Sequence, residues 1–336
     1  MKALICNTPG EFEYKEIAAP IAREGYTLIN IKRVGICGTD LHAFEGTQPF
    51  FTYPRILGHE LAGSIVSTAA EGFSEGEMVT FIPYFYCGKC IACRRGKPNC
   101  CVNISVSGVH ADGGMVDYLS VPDYSLVHGE GLSYDELALV EPLAIGAHGV
   151  SRAAIEKDEY VLVVGAGPIG LGTMEFARIA GAKVIAMDIN NSRLEFCKQK
   201  LHLSLTVNPL ESDPVEQLLR ITGGDMPTVV IDATGNLKAI DTAFRFLAHT
   251  GRYVLIGLQK DNISVSHPEF HKREATLMSS RNATRKDFEH VISSMKRGLV
   301  DPSTYITHRV SFEQVADNFQ SWLEPGTGVI KAMVSL

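Results

Sequence analysis

One segment in the middle of the chain constrains the fold more than any other. It reads YVLVVGAGPIGLGTMEFARIAGAKVIAMD and covers residues 160–188. The apolar run over Tyr160–Val164 is typical of a buried parallel strand. Pro168 and Gly181 stand where a helix would begin and end. The run KVIAM then predicts a second strand, closed by Asp188. The segment therefore predicts a strand, a helix and a second parallel strand in direct succession.

The glycines between the first strand and the helix indicate a binding site. Gly165, Gly167 and Gly170 have the spacing G-x-G-x-x-G. In this pattern the glycines make a tight turn, let a pyrophosphate approach the backbone and let helix and strand pack closely, while the helix N-terminus faces the phosphates. Asp188, eighteen residues after the last glycine, suits ribose hydroxyls and repels a 2′-phosphate. The segment thus predicts an NAD site, although nearby Arg193 could meet the extra phosphate of NADP.

The sequence after this segment continues to alternate between strands and helices. LSLTVN, TVVIDATG and RYVLIGL are predicted strands, and DPVEQLLRIT and NLKAIDTAFRFLAHTG are predicted helices. This alternation predicts an α/β fold with a doubly wound parallel sheet over residues 148–281. Residues 1–147 are glycine-rich, with short strand-like runs such as TLINIKRVG and ILGHELAGSIVS. Residues 282–336 end in a further run, VIKAMVSL, which we expect to return to the first domain.

The densest group of reactive side chains is the segment CGKCIACRRGKPNCC, which holds five of the eight cysteines. Cys87, Cys90 and Cys93 recur every three residues, and Cys101 follows eight residues later. Two residues between thiolates let a tight turn direct successive sulfur atoms at one tetrahedral Zn²⁺. Four thiolates leave no open position, so the segment predicts a structural zinc site. Spacing alone does not choose between Cys100 and Cys101 as the fourth ligand.

A second set of candidate ligands is more dispersed. It lies in the segments ICGTDLH, GHE and VEPLAIGAH and comprises Cys37, Asp40, His42, His59, Glu60, Glu141 and His148. One cysteine, one histidine and one carboxylate, with water in the fourth position, would form an open catalytic zinc site. The spacing does not select among these residues, and the alternative for each histidine is a hydrogen-bonded loop residue.

Composition limits the classes of partner. A net charge of −7 disfavours a general nucleic-acid-binding protein. No run approaches the ~18 apolar residues of a membrane-spanning helix, and the first residues lack the apolar core of a secretion signal. We therefore expect a cytoplasmic protein, in which thiols stay reduced and a cysteine cluster favours a metal over disulfides.

The order of the motifs resembles the zinc-dependent medium-chain alcohol and polyol dehydrogenases. CGTDLH, GHE, the cysteine cluster, GAGPIG and Asp188 follow one another as in that family, over nearly the whole chain. The resemblance implies a GroES-like, β-rich catalytic domain formed by residues 1–147 and 282–336, with a Rossmann NAD-binding domain of residues 148–281 between its two parts. It also implies two Zn²⁺ and one NAD per chain, and a homodimer or homotetramer.

The resemblance also implies roles for individual residues. The structural zinc falls on Cys87, Cys90, Cys93 and Cys101, which leaves Cys100 spare. The catalytic zinc falls on Cys37, His59 and Glu141, the last as in sorbitol and threonine dehydrogenases. The cofactor-binding residues are Gly165, Gly167, Pro168, Ile169, Gly170, Asp188 and Arg193.

Four further residues correspond to positions around the catalytic zinc of the family. Glu60 corresponds to a carboxylate that can approach the metal, and Asp40 to an acid that orients the histidine ligand. Thr39 and His42 correspond to a proton relay. Without the resemblance, Thr39 would be read as a loop hydroxyl that caps a nearby helix.

Three segments point to the substrate. QPFFTYPRILGHE, NCCVNISVSGVHADGG and PEFHKREATLMSSRNAT resemble family members that oxidise sugar acids such as L-galactonate. A sugar acid carries a carboxylate, which needs a cation or several hydrogen-bond donors. Arg281 matches an active-site arginine of sorbitol dehydrogenases, and His110 is a second candidate. Lys272 and Arg273 are expected to form a solvated basic turn.

The resemblance implies oxidation of a secondary hydroxyl, with several alternatives for the substrate. L-Gulonate, L-idonate, a neutral polyol and L-threonine are the other candidates. A zinc-stabilised nucleotide sensor without catalysis is the alternative from another class of protein. The intact set of Cys37, Thr39, His42, His59 and Glu141 argues against that sensor.

Overall fold

The computed structural model describes residues 1–48 and 51–336. Pro49 and Phe50, in the segment QPFFTYPRILGHE, lie outside the described residues. The chain divides into two compact units. The first unit is Met1–Pro142 with Thr284–Leu336, and the second unit is Leu143–Ala283. No helix of the described part of the chain is both long and apolar enough to cross a bilayer.

The strands of the described residues are, in chain order, β1 Lys2–Thr8, β2 Glu11–Glu16, β3 Tyr26–Gly35, β4 Arg55–Ile56, β5 Glu60–Ser67, β6 Met78–Phe81, β7 Tyr84–Phe85, β8 Ser105–Val106, β9 Tyr118–Pro122, β10 Leu126–His128, β11 Tyr160–Val164, β12 Lys183–Met187, β13 Leu205–Val207, β14 Val229–Asp232, β15 Arg252–Leu255, β16 Thr276–Ser279, β17 Ile306–Ser311 and β18 Lys331–Ser335. The α-helices are α1 Gly38–Glu45, α2 Ile91–Arg94, α3 Tyr134–Ala138, α4 Val140–Ala153, α5 Pro168–Ile179, α6 Asn191–Lys200, α7 Pro214–Thr222, α8 Leu237–Ala243, α9 His267–Lys272, α10 Arg285–Lys296 and α11 Val315–Phe319.

The first unit contains a seven-stranded sheet in which β3 has three partners. β3 pairs antiparallel with β5, β9 and β18, and β18 also pairs in parallel with β17. The C-terminal run VIKAMVSL therefore joins the sheet of the first unit. Gly35, at the end of β3, lies opposite Glu60 on one side and opposite Met333 on the other, which brings the start of β18 close to the start of β5.

The run ILGHELAGSIVS does not form one continuous strand. It divides into β4 and β5, which belong to different sheets. Between them Gly58 has a φ of +96°, a backbone conformation that glycine adopts without the steric cost of a Cβ. The backbone N–H of Gly58 donates to the carboxylate of Asp40 instead of to a neighbouring strand.

The second unit contains the predicted doubly wound parallel sheet. Its strand order is β13-β12-β11-β14-β15-β16, and every one of these neighbours pairs in parallel. From β11 the chain first adds strands on one side of the sheet, β12 and β13, and then crosses over to add β14, β15 and β16 on the other side. In such sheets, the position where the strand order reverses marks the crevice where dinucleotides bind. α5 begins at Pro168, directly after β11, as the glycine pattern predicts.

The segment NLKAIDTAFRFLAHTG, predicted as one helix, is shorter than expected. α8 ends at Ala243, and a single 3₁₀ turn over Phe244–Phe246 follows. Leu247 is buried in the core of this unit, and the backbone N–H of Ala248 donates to the carbonyl of Pro227. Tertiary packing and this hydrogen bond take the place of the last helical turns.

Glu159 connects three strands of the second unit at their N-terminal ends. Its carboxylate accepts hydrogen bonds from Arg252 at 2.5 and 2.6 Å, from the hydroxyl of Thr228 at 2.9 Å and from the backbone N–H of Glu156 at 2.6 Å. Burial by itself would raise the pKa of Glu159, but the hydrogen bonds and the charge of Arg252 lower it below its ordinary value. The ionised form therefore stabilises the fold.

We expect Glu159→Gln to lower the free energy of unfolding by about 1–3 kcal/mol at neutral pH, because a charged acceptor of several hydrogen bonds is lost. A group whose folded pKa is depressed stabilises the protein above its unfolded pKa, and this contribution disappears as the pH falls through the folded pKa. The difference between wild type and variant should therefore shrink below pH ~4. Chemical denaturation at several pH values measures it.

Glu195→Gln is the matched control, because Glu195 pairs with Lys198 at 3.7 Å and both side chains are about half exposed. Exposed pairs of this kind contribute at most about 1 kcal/mol. Equal losses in the two variants, or a loss in Glu159→Gln that does not change with pH, would contradict the assignment.

Candidate metal centres and cofactor site

Asp40 organises the start of α1. Cys37 is the N-cap of this helix, and its backbone N–H donates to Asp40 Oδ2 at 2.9 Å. The N–H of Gly58 donates to Asp40 Oδ1 at 3.1 Å, and His59 Nδ1 lies 3.7 Å from the same oxygen. One buried carboxylate therefore holds together the backbone segments that carry Cys37 and His59.

Three possible metal ligands converge at this point. One donor atom each of Cys37, His59 and Glu60 lies within 4.8 Å of the other two. His59 and Glu60 are buried and Cys37 is half-buried. A sulfur, a ring nitrogen and a carboxylate oxygen form a donor set that suits Zn²⁺.

Glu60 is held by Lys331, the first residue of β18. The Lys331 ammonium donates to both carboxylate oxygens of Glu60, at 2.5 and 2.6 Å, and to the carbonyl of Ile36 at 3.0 Å. Both side chains are almost completely buried. Gly35 provides the space for this pair, because a Cβ at that position would lie 2.2 Å from Glu60 Oε2.

Glu141 lies outside the group of three and has its own partner. It belongs to the first turn of α4, and its Oε1 accepts a hydrogen bond from the hydroxyl of Tyr84. Both residues are buried. Burial raises the pKa of Glu141 to about 7, and the charge of His59 opposes this shift.

The cysteine segment forms a compact group of four sulfur atoms. The Sγ atoms of Cys87, Cys90, Cys93 and Cys101 all lie within 4.8 Å of one another, and none of these cysteines forms a disulfide. Cys101 is buried, whereas Cys100 is exposed and outside the group. Hydrogen bonds from the backbone N–H groups of Cys93 and Val102 lower the pKa of Cys90 to about 6. This shift favours the thiolate that binds metal.

The glycine loop of the second unit has the backbone that a phosphate site needs. Gly165 has a φ of +98°, and a Cβ on Gly170 would lie 1.8 Å from the carbonyl oxygen of Gly165. Gly167 is the N-cap of α5. Pro168 and Ile169 form the first turn and are half-buried. The N-terminus of α5 therefore presents unpaired backbone N–H groups at the carboxyl end of β11.

Asp188 and Arg193 border the same loop. Asp188 Oδ2 accepts a hydrogen bond from the backbone N–H of Ala166 at 2.7 Å, and Oδ1 accepts one from Asn190 at 2.8 Å. The guanidinium of Arg193 donates to the carbonyl of Ala166 at 3.1 Å. Both side chains thus lie beside the glycine loop, as the sequence pattern places them.

Comparison with known proteins identifies the family. The alcohol dehydrogenase GroES-like domain matches residues 23–130, and the zinc-binding dehydrogenase domain matches residues 168–297. L-Galactonate-5-dehydrogenase of Escherichia coli K12 is 44% identical over 100% of this chain and 99% of the relative. Sorbitol dehydrogenase of Bacillus subtilis is 30% identical over 99% and 97%. The crystal structure of an Escherichia coli CFT073 alcohol dehydrogenase with NADH superposes with a TM-score of 0.92 at 31% identity, covering 100% of this chain and 99% of the other.

The chain belongs to the zinc-binding dehydrogenases. The expected GroES-like and Rossmann folds are thereby confirmed, and so is the expected class of zinc-type alcohol and polyol dehydrogenases.

The buried charges of the first unit fit a divalent cation in this zinc-binding dehydrogenase. Asp40, Glu60 and Glu141 are all buried, and Lys331 is the one buried lysine or arginine among the described residues. Burial raises the pKa of Asp40. Burial opposes protonation of His59, but Asp40 and Cys37 raise its pKa well above the ordinary value. These shifts show that the site attracts positive charge, which a bound metal ion would supply.

Thr39 and His42 occupy one face of α1. They are three residues apart, which places them on neighbouring positions of the helix surface. Thr39 is half-buried in the first turn and His42 is exposed in the last. The helix thus leads from the region of Cys37 to solvent.

The remaining candidates occupy different parts of the chain. His110 is exposed in the first unit, and its Nδ1 accepts from the N–H of Val106 at 3.2 Å. Arg281 is exposed after β16 in the second unit. His148 is buried and belongs to neither group of metal donors found among the described residues. Lys272 is the last residue of α9. The expected basic turn is therefore the end of a helix, where Glu269 forms ion pairs with Lys272 and Arg273.

Two residues of the site, Lys331 and Tyr84, are not predicted from the sequence. Lys331 reaches Glu60 across 271 positions of the chain, and the sole local signal is a charge inside the apolar run VIKAMV. Tyr84 reaches Glu141 across 57 positions, and it has no local signal beyond its place before the cysteine segment.

We expect Gly35→Ala to lower the free energy of unfolding by about 1–3 kcal/mol, because the new methyl group overlaps the carboxylate of Glu60 and displaces it from Lys331. Gly38→Ala is the control, since a Cβ there meets no atom within 4 Å. Its effect should stay within about 0.5 kcal/mol. Denaturant titration of both variants compares them, and a neutral Gly35→Ala would contradict the described packing.

Proposed function

We propose that this zinc-binding dehydrogenase oxidises a secondary hydroxyl of a sugar acid to a ketone with NAD, the best candidate reaction being L-galactonate to D-tagaturonate. In this reaction the substrate loses a hydride and a proton, and NAD becomes NADH. The observation that carries the proposal is the convergence of one donor atom each from Cys37, His59 and Glu60, a sulfur, a ring nitrogen and a carboxylate oxygen. It occurs in a chain that is 44% identical, along its whole length, to an L-galactonate dehydrogenase.

Cys37, His59 and Glu141 are the proposed zinc ligands of the reaction centre. Glu60 is the additional carboxylate, and Lys331 balances its charge when it is not bound to metal. Zinc in such a site supplies Lewis acidity, which makes a hydroxyl group more acidic. The Cys87, Cys90, Cys93 and Cys101 group is proposed to hold the structural zinc.

The chain's own residues orient the ligands and remove the proton. Asp40 fixes the segment of His59 through the N–H of Gly58 and is the proposed partner of the His59 ring. Thr39 and His42 are proposed to pass the released proton to solvent. An imidazole at the solvent end of the helix can exchange protons with water.

The glycine loop and Asp188 are proposed to bind NAD. Gly165, Gly167 and Gly170 form the backbone cradle, with Pro168 and Ile169 at the start of the helix. Asp188 is half-buried beside the loop, where its charge would repel a 2′-phosphate. Arg193 lies beside the same loop. The similar structure from Escherichia coli CFT073 was solved with NADH, which supports a nicotinamide cofactor here.

Arg281 is the proposed partner of the substrate carboxylate, with His110 as a second contact. A guanidinium binds a carboxylate through two parallel hydrogen bonds. A neutral polyol would not need this charge, so Arg281 separates the two substrate classes. The 30% identity to a sorbitol dehydrogenase makes a neutral polyol the second candidate. L-Gulonate and L-idonate are the alternative acids.

The assay that tests this proposal follows NADH formation by the zinc-loaded protein. L-Galactonate, L-gulonate, L-idonate, sorbitol, galactitol and L-threonine are offered in turn. We expect the highest kcat/KM with one aldonate. Preferential turnover of sorbitol or L-threonine would reject the sugar-acid assignment and leave the dehydrogenase class intact.

Arg281→Ala should raise KM for the aldonate by about 10- to 100-fold, which corresponds to the loss of one charged hydrogen-bonded contact. Turnover of any neutral alcohol that is accepted should change by less than about threefold. Arg297→Ala, at an exposed position of the first unit, is the control for a general loss of positive charge. Equal losses on acid and neutral substrates would reject the role of Arg281.

We expect Asp188→Ala to lower the ratio of kcat/KM with NAD to that with NADP by about 10-fold or more, because the 2′-phosphate no longer meets a carboxylate. Asp188→Asn is the matched variant, since it removes the charge and keeps an oxygen for the N–H of Ala166, although it loses the acceptor for the N–H of Asn190. A similar ratio in all three proteins would show that Asp188 does not select the cofactor.

A further inference from the structure

The cysteine group closes a loop whose two ends are paired strands. β7 ends two residues before Cys87, and β8 begins four residues after Cys101. The two strands pair antiparallel, with Tyr84 opposite Val106 and Phe85 opposite Ser105. The two paired strands, a two-stranded ladder, thus stand directly before and after the segment that carries the four sulfur atoms.

Hydrogen bonds continue from the cysteine group to the ladder. The backbone N–H of Cys87 donates to the Sγ of Cys101 at 3.3 Å, and the N–H of Ser107 donates to the carbonyl of Pro83 at 3.0 Å. A two-stranded ladder of this length is marginally stable by itself. Its register therefore depends on the contacts at its ends, of which the sulfur group is one.

One side chain of the two paired strands, that of Tyr84, reaches the proposed reaction centre. Tyr84 is buried, with 4% of its surface exposed, and its hydroxyl donates to Glu141 Oε1. Phe288 packs edge-to-face against the ring, with centroids 6.5 Å apart. Tyr84 precedes Cys87 by three residues, which is at most ~10 Å of extended chain. A short segment with hydrogen bonds to both neighbours thus joins the cysteine group to Tyr84.

Glu141 depends on such a contact. A glutamate side chain has three rotatable bonds, so a ligand of this kind needs a second hydrogen bond to fix its orientation. Partners of this type typically contribute 10- to 100-fold to metal affinity. Glu60 has Lys331 in this role, and the hydroxyl of Tyr84 takes the corresponding position for Glu141.

We propose that Tyr84 is a positioning residue that couples the two metal centres. Metal bound by the four cysteines holds β7 in register, and Tyr84 then holds Glu141 in the orientation that binds the second metal. This inference rests on the proposed role of Glu141 as a ligand. Because binding free energies are reciprocal, metal at either centre strengthens binding at the other.

The first test measures Co²⁺ binding at the reaction centre of protein whose cysteine group is loaded with zinc, without substrate. We expect Tyr84→Phe to weaken Co²⁺ binding by about 10-fold and to change the visible absorption of the bound ion. Phe fills nearly the same volume as Tyr, so this variant removes the hydroxyl and keeps the packing of the ring. Tyr86→Phe is the matched control on the same segment, because Tyr86 is exposed and its ring packs against Tyr124 at a tilted angle. Unchanged affinity and spectrum in Tyr84→Phe would overturn the inference.

Glu141→Gln separates this failure from a failure of the proposed function. If Glu141→Gln weakens Co²⁺ binding and Tyr84→Phe does not, the coupling is wrong and the ligand assignment stands. If neither variant weakens binding, Glu141 is not a ligand, and both the assignment and the coupling fall. Neither outcome depends on which alcohol the enzyme oxidises.

The second test is a double-mutant cycle between the cysteine group and Tyr84. We expect Cys90→Ser to weaken Co²⁺ binding at the reaction centre in the wild type but to add less than about twofold in Tyr84→Phe. Additive losses would contradict coupling through Tyr84.

Hydrogen exchange supplies the same test without a cysteine variant, should Cys90→Ser not fold. We expect a chelator that removes zinc from the cysteine group to speed exchange in a peptide that covers residues 84–86. In Tyr84→Phe, hydrogen exchange around Glu141 should be the same with and without the chelator. Unchanged exchange over residues 84–86 in the wild type would contradict the proposal.

Discussion

The buried ion pair between Lys331 and Glu60 is the contact on which the proposed reaction centre depends. It joins the first residue of β18 to the first residue of β5, with β3 between them. Burying two charges is costly unless they pair and bond further groups, and here the carbonyl of Ile36 accepts a further hydrogen bond from the Lys331 ammonium. The pair thereby adds to the strand pairing that holds β18 in the sheet of the first unit, and it needs a residue without a side chain at position 35.

The two candidate metal centres differ in their donor atoms. Four cysteines form a closed set, which suits a structural ion. Around Cys37 and His59, Glu60 and Glu141 are the two proposed carboxylate ligands, and each has a partner of its own, Lys331 for Glu60 and Tyr84 for Glu141. Each carboxylate thus has an alternative to the metal, so that the coordination can change without leaving a buried charge unpaired.

Local patterns predict much of this molecule because their physical causes are local. The glycine spacing around Gly165, the strand–helix alternation and the cysteine spacing each depend on residues close in sequence, and the parallel sheet and the sulfur group agree with them. The end of α8 and the break between β4 and β5 depend on tertiary contacts instead. The partners of Glu60 and Glu141 lie 271 and 57 positions away, so no pattern could reveal them.

We infer that the chain holds two zinc ions at two separate sets of side chains, one around Cys37 and one formed by the four clustered cysteines. The most direct test is the zinc content per chain, measured by elemental mass spectrometry on the purified wild type, on Cys37→Ser and on Cys90→Ser. We expect two ions in the wild type and the loss of the reaction-centre ion in Cys37→Ser, with the cysteine-bound ion retained. Fewer than two ions in zinc-saturated wild type, or an unchanged content in Cys37→Ser, would contradict it.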